Sequence, residues 1–201
     1  MRTASIVAAA FAFGVGTFAM TRDAHALGPI DVEIGAKAGV ATTPVKDSGF
    51  PNPLGFGIGA RGGVAFLGFY GGVQLMYYFG GSDEVGTGDQ SFKVSLHTFM
   101  YGVEAGYGFT LLDILTIRPQ VGVGNATFSS SASGAGAVDF NAGGYSKSNL
   151  YIEPGVTGLI SLGGFFVGAD ANLLWFPGLD WAPNDSAKLC FSLHGQVGFK
   201  F

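Results

Sequence analysis

Ser192 and His194 stand two residues apart near the carboxyl terminus, and a serine beside a histidine base is the pairing of hydrolytic catalysis. On an extended strand those side chains share a face about 7 Å apart, beyond hydrogen-bond reach. His194 therefore reads as a histidine satisfied inside the fold, the chain as no enzyme, and no catalytic residue is assigned. No set of residues has zinc-site spacing, His97 included, so neither a metal nor a cofactor is expected. Cys190 is the single cysteine and has no partner for an intrachain disulfide. The chemistry that recurs is ionic. Lys37, Arg61, Glu104, Arg118, Glu153 and Asp170 are isolated charges among glycines and apolar residues, a setting in which charges must be paired.

Only 12% of the 201 residues are charged, against 48% apolar, and 35 are glycine. A soluble domain carries about 25% charge, so an ordinary water-facing surface is disfavoured. The 19 Phe and 7 Tyr argue against disorder. Residues 1–26 have the pattern of a cleaved signal peptide: Arg2, an uncharged apolar run from Ile6 to Met20, then Ala24-His25-Ala26. That run is shorter than the roughly 20 residues of a membrane helix, and no later apolar run is long enough. Cleavage after Ala26 leaves a domain, 27–201, with 8 bases, 13 acids and no Lys/Arg cluster, which argues against nucleic acid as a partner.

The elements that must position the charges are legible as period-two alternation, in which successive side chains point to opposite faces. It occurs in eight segments: Ile30 to Val40, Leu54 to Phe66, Phe69 to Phe79, Val94 to Phe109, Leu115 to Val123, Leu150 to Ile160, Phe165 to Trp175 and Leu189 to Phe201. In the first, Ile30, Val32, Ile34, Ala36, Ala38 and Val40 oppose Asp31, Glu33, Gly35, Lys37 and Gly39. In the fourth, Val94 and Leu96 break parity with Phe99 onward, predicting a β-bulge near Thr98. Short connections at Leu67-Gly68, Leu111 to Ile114 and Ser161 to Gly164 alternate with long ones at Thr43 to Pro53, Gly80 to Lys93, Ser129 to Ser148 and Pro177 to Ala187. Such alternation predicts an up-and-down barrel with tight turns and both termini on one rim.

Asp31, Glu33, Lys37, Arg61, Glu104, Arg118, Glu153, Asp170, Lys188 and Lys200 all fall opposite the apolar series. A basic residue facing mid-bilayer lipid costs roughly 2–4 kcal/mol, which gives this segregation a physical reason. The segments exceed the roughly 5–6 residues of a globular strand and suit a tilted bilayer crossing. Tyr77, Phe79, Tyr107, Phe109, Trp175, Phe199 and Phe201 lie near strand ends, where interfacial girdles belong. The predicted fold class is all-β: an eight-stranded antiparallel up-and-down transmembrane β-barrel.

The leader, the eight amphipathic strands and the final Val197-Gly198-Phe199-Lys200-Phe201 together resemble the eight-stranded outer-membrane barrels of the OmpA/OmpX-like superfamily, without the peptidoglycan-binding domain that follows the barrel in OmpA. The resemblance implies a bacterial outer-membrane location with both termini periplasmic. It also implies contact with outer-membrane lipid and lipopolysaccharide, and periplasmic chaperones and a barrel assembly machinery that reads Phe199 and Phe201.

Eight strands enclose a lumen about wide enough for its own side chains to fill. Counting from the short turns places Lys37, Arg61 and Arg118 near the height of Glu104, Glu153 and Asp170, with His194 and Gln120 at a similar level. Glu104 is expected diagonal to Arg118, and Glu153 opposite Asn172. The favoured reading is an ionic network filling the lumen of a structural or surface-interacting barrel. A small-ion channel gated by those pairs stays open as a reading. So does an adhesin using its long loops: Phe50, Leu179 and Trp181 as surface contacts, an acidic Asp83, Glu84 and Asp89, and a flexible Ser129 to Gly136. A lipid A-modifying enzyme built on Ser192 and His194 is the remotest. A carrier of small hydrophobic molecules would require an apolar lumen.

Overall fold

The computed structural model describes residues 30–42, 52–85, 92–112, 114–133, 146–178 and 189–201. The leader (1–26), Phe50, Asp89, Leu179, Trp181 and Lys188 lie outside the described residues.

Ten strand segments follow one another: β1 (Ile30–Thr42), β2 (Gly55–Phe66), β3 (Phe69–Tyr78), β4 (Ser82–Val85), β5 (Phe92–Tyr107), β6 (Phe109–Leu111), β7 (Leu115–Ser133), β8 (Ser146–Leu162), β9 (Phe165–Trp175) and β10 (Leu189–Lys200). β4 prolongs β3 along β5, and β6 prolongs β5 along β7, so the segments form eight staves. Every stave is antiparallel to its neighbours, β1 pairs with β10, and the β5–β7 pairing closes the barrel.

The registers fix its dimensions. Partners run from Asp31 to Ala65, Tyr70, Gly106, Gln120, Gly155, Asn172 and Ser192, and return to β1 at Ala41, a shear of 10 residues. At about 3.3 Å per residue and about 4.8 Å between strands, that shear tilts the staves by about 40° and sets a backbone radius of about 8 Å. The short connections lie on one rim. Phe66 pairs with Phe69 across Leu67 and Gly68, whose φ angles of 51° and 87° are those of a two-residue type I′ hairpin. Both ends of the described chain reach this rim, where Val32 and Phe201 exchange backbone hydrogen bonds of 2.9 Å.

Alternation sorts the wall as expected. Ile34, Val73, Val103, Val121 and Val197 are exposed on the outside, about half of each surface or more remaining open. Aromatic residues ring both ends of this aliphatic zone: Phe66, Phe69, Tyr107, Phe109, Phe165, Phe199 and Phe201 at the tight-turn rim, and Phe56, Tyr77, Phe79, Phe99, Tyr101, Trp175 and Phe191 at the other. Phe165 and Trp175 bracket the band on one stave and lie about 25 Å apart along the axis at this tilt, the height of a lipid-facing band. A soluble protein has no use for such a collar.

The structure departs from the sequence expectations in four places. β5 runs in unbroken register along β7 from Lys93 through Thr98 to Gly106, so Thr98 carries no bulge. The extra residue lies on the facing stave: Tyr78 pairs with Thr98 but Ser82 with Ser95, and Gly80 between them has a φ of 60° that favours glycine. Leu54, expected on the outer face, is fully buried because Gly55, with a φ of 69°, turns the chain inward. Ser129 to Ser133, expected in a flexible loop, belong to β7, and Asp83 and Glu84 to β4. In these last cases ladder hydrogen bonding to an existing stave overrides a loop-like composition.

Candidate functional site

The lumen has two storeys. The lower one, toward the tight turns, is ionic. Glu33 from β1 receives Arg118 from β7 as a two-pronged pair, Nη2 to Oε1 at 2.6 Å and Nη1 to Oε2 at 2.9 Å. Arg61 of β2 donates to the same Oε2 at 3.1 Å, lies 3.4 Å from Glu104 of β5 and donates to Gln196 of β10 at 2.8 Å. Both guanidinium groups stack on Tyr70, at 4.7 Å for Arg61 and 4.0 Å for Arg118, while the Tyr70 hydroxyl donates to Glu104 at 2.8 Å. Space for that ring comes from missing side chains: a Cβ at Gly63 or Gly72 would fall 2.5 or 2.3 Å from the Tyr70 hydroxyl.

Gln196 links this group to a second one by donating to Asp170 of β9 at 3.4 Å. Asp170 also meets Lys37 of β1 at 3.1 Å, His194 Nδ1 at 3.1 Å and Asn172 at 2.7 Å. Lys37 donates to Gln74, whose amide donates to Glu153. Strands from around the ring thus converge on one hydrogen-bonded network, and its charged members are at most 5% exposed.

Above it the lumen turns apolar. Met76, Met100, Phe128, Tyr151, Leu174 and Phe176 form a buried cluster with Leu54, Tyr78, Ala41, Ala126 and Cys190. Phe176 packs against Phe128 at 5.4 Å and Tyr151 at 6.5 Å between ring centres. Leu54 seals the cluster from the loop side. The segment Asn52 to Leu54 is pinned there by Thr98 Oγ1 donating to the Pro53 carbonyl at 2.8 Å and Asn52 donating to the Ala41 carbonyl at 2.9 Å. The Tyr78 hydroxyl reaches down to His194 Nε2 at 2.7 Å and couples the storeys.

The pairs differ in detail from those expected of the sequence. Arg118 reaches across the lumen to Glu33 instead of lying diagonal to Glu104. Gly155, two positions along from Glu153, is the residue opposite Asn172, because β8 meets β9 in a register shifted by two from the expected one. Glu33, read only as a wall charge, sits at the centre of the lower storey; its inward parity on the first strand was the available signal. Tyr70, Gln74, Tyr78 and Gln196 also join the network unforeseen, being neutral. Ser192 is buried opposite Asn172, while His194 is engaged at both ring nitrogens by Asp170 and Tyr78. His97 lies on the outer face, its ring stacked on Tyr77 at 5.9 Å. Phe199 and Phe201 sit outside, at the tight-turn rim, 6.4 Å apart.

An aromatic-bounded apolar collar around a filled interior that keeps its charges from the wall defines the class: an eight-stranded transmembrane β-barrel. No family model matches the chain, and no curated protein matches it. Solved structures do. The chain is similar to a major outer membrane protein of Thermus thermophilus, with 15% identity, a TM-score of 0.60 and coverage of 87% of this chain and 100% of that one. It is also similar to Neisserial surface protein A, with 12% identity, a TM-score of 0.52 and coverage of 87% and 98%. A third is Ail, the attachment invasion locus protein of Yersinia pestis, in complex with the heparin analogue sucrose octasulfate, with 12% identity, a TM-score of 0.50 and coverage of 86% and 97%. At these identities the likeness is one of fold.

Proposed function

We propose that this chain is an integral barrel of the bacterial outer membrane that acts as a scaffold, presenting its loop rim to the surroundings while its lumen stays shut. One observation carries the reading: the interior is closed twice over, by the Glu33–Arg118–Arg61 network and by the Phe128–Phe176–Leu54 layer above it. Opening one storey leaves the other in place. The purified protein in planar bilayers is expected to show no discrete conductance, and Arg118→Ala alone is expected to remain silent. Conductance steps in the wild type would replace the scaffold with a channel.

His194 and Ser192 have no catalytic part in this reading, and a lipid A deacylation assay on membranes is expected to show no activity that depends on either. The termini face the periplasm, on the side of the tight turns. A tag placed after Ala26 should then be hidden in intact cells, whereas one between residues 134 and 145 should be accessible. Surface interaction is the proposed task of the loop rim. One fold neighbour, Ail, was solved with a heparin analogue bound, which motivates testing sulfated glycans on whole cells. Lipopolysaccharide and lipid would surround the wall, and Phe199 and Phe201 would serve as the signal for the assembly machinery. Their replacement by Ser is expected to lower the amount of folded barrel without altering the lumen.

A further inference from the structure

Below the ionic storey, at the tight-turn rim, the lumen holds a cavity of about 150 Å³ bordered by Glu33, Arg118, Thr116, Thr110, Lys200 and Asp31. Its charges are unevenly satisfied. Glu33 already accepts three hydrogen bonds, one from Arg61 and two from Arg118, and Asp31 pairs with Lys200 at 2.9 Å. The donors are not used up. Arg118 spends only its terminal Nη pair on Glu33, and its Nε, in a side chain only 3% exposed, has no partner among the described residues. That edge lies beside Gly108, where an added Cβ would sit 3.7 Å from Nε and 3.0 Å from Thr116 Cγ2. The hydroxyls of Thr110 and Thr116 meet at 3.2 Å on the same side. Lys200, about a third exposed, keeps donors beyond its bond to Asp31.

We propose that this vestibule is a binding site for a small oxyanion, a carboxylate or a phosphate. The side edge of a guanidinium offers Nε–H and Nη–H in the planar spacing that two oxygens of such a group accept, whereas a single chloride must share itself between both N–H groups and fits the fork less well. Lys200 supplies a second positive charge, and the threonine pair, one of whose protons is spent on the bond between them, adds one hydroxyl donor for an acceptor-only guest. Cationic guests are disfavoured because both acids are already paired. The ligand is either a free solute entering from the rim or the phosphate of a lipid headgroup reaching over it, which present the same chemistry.

The test uses the barrel labelled with ¹⁵N-arginine in phosphate-free maltoside micelles. Sodium phosphate, sodium acetate and sodium chloride are titrated at matched ionic strength, and phosphatidylglycerol is added to the micelles in a separate arm. The Arg118 Nε–H resonance is expected to shift saturably with phosphate and acetate and more weakly with chloride. A saturable shift with phosphatidylglycerol alone would assign the same site to a headgroup. Gly108→Ala, which crowds the Nε edge without touching a charge, is expected to weaken binding about tenfold, as is Arg118→Lys, read on the Thr116 amide of uniformly ¹⁵N-labelled protein. Shifted gel mobility of the folded barrel serves as the folding check. If Arg118 Nε–H in the wild type is unmoved by phosphate, acetate and phosphatidylglycerol, or follows chloride equally, there is no oxyanion site, whatever the variants do.

Discussion

The two storeys of the lumen solve one problem, filling a cylinder about 8 Å in radius, by opposite means. The lower one uses few, long, charged side chains held at 2.6–3.4 Å, with glycine on neighbouring staves to make room. The upper one uses aromatic rings, methionines and leucines that pack by shape, with the Tyr78 hydroxyl turned down to His194. An apolar layer tolerates shifts in shape, because any apolar neighbour serves. An ionic layer does not: each buried charge is costly unless a particular partner from a particular stave arrives. The lower storey is therefore where a wrong register is penalised, and the upper one is where water is excluded.

Mutation can test that contrast. The largest effect is expected for Glu33→Ala, which leaves Arg118 without its carboxylate and takes one of two from Arg61, and should cost about 4 kcal/mol in urea unfolding followed by fluorescence and gel mobility. Leu174→Ala in the apolar storey should cost less, about 3 kcal/mol, by the same measurement. A larger loss there would reverse the ranking. Double-mutant cycles give a finer measure. Glu33→Ala combined with Arg118→Ala should show a coupling of about 2 kcal/mol, whereas Glu33→Ala with Leu174→Ala should add within about 0.5 kcal/mol. Strong coupling between the storeys would mean that they form one cooperative plug. Smallest of all, Lys200→Gln removes a pair whose side chains are 30% and 43% exposed, and should change stability by less than about 1 kcal/mol.

Much of the wall was legible because a strand has only one periodicity. Ile34, Ala36 and Ala38 had to face one way once Glu33 and Lys37 faced the other. The exceptions share a cause. Val94 and Leu96 signalled an irregularity beside Thr98, but the backbone placed it at Gly80 on the neighbouring stave, since a one-residue offset between two strands can be absorbed by either. Leu54 had the right parity for the wall and turned inward at Gly55. The site was less legible than the wall. Arg118 has several lumen carboxylates as candidate partners, and proximity along the chain points to Glu104 on the adjacent hairpin strand. The actual partner, Glu33, is 85 residues away in the chain. The apolar upper storey was invisible for a related reason: Met76, Met100, Tyr151 and Leu174 each look incidental on an inward face and form a layer only when β3, β5, β8 and β9 are brought round to one height.

Period, length and composition alone determined that the chain makes eight lipid-crossing staves, which side of each meets lipid, and that charges are kept inside, because each follows from one residue's energy in water or in hydrocarbon. Partner identity, the position of the bulge, the two storeys and the donor-rich vestibule were decided only by closure. A shear of 10 residues sets which side chains share a height. Contacts across a lumen depend on that number, which belongs to the whole ring of staves and to no segment of the sequence.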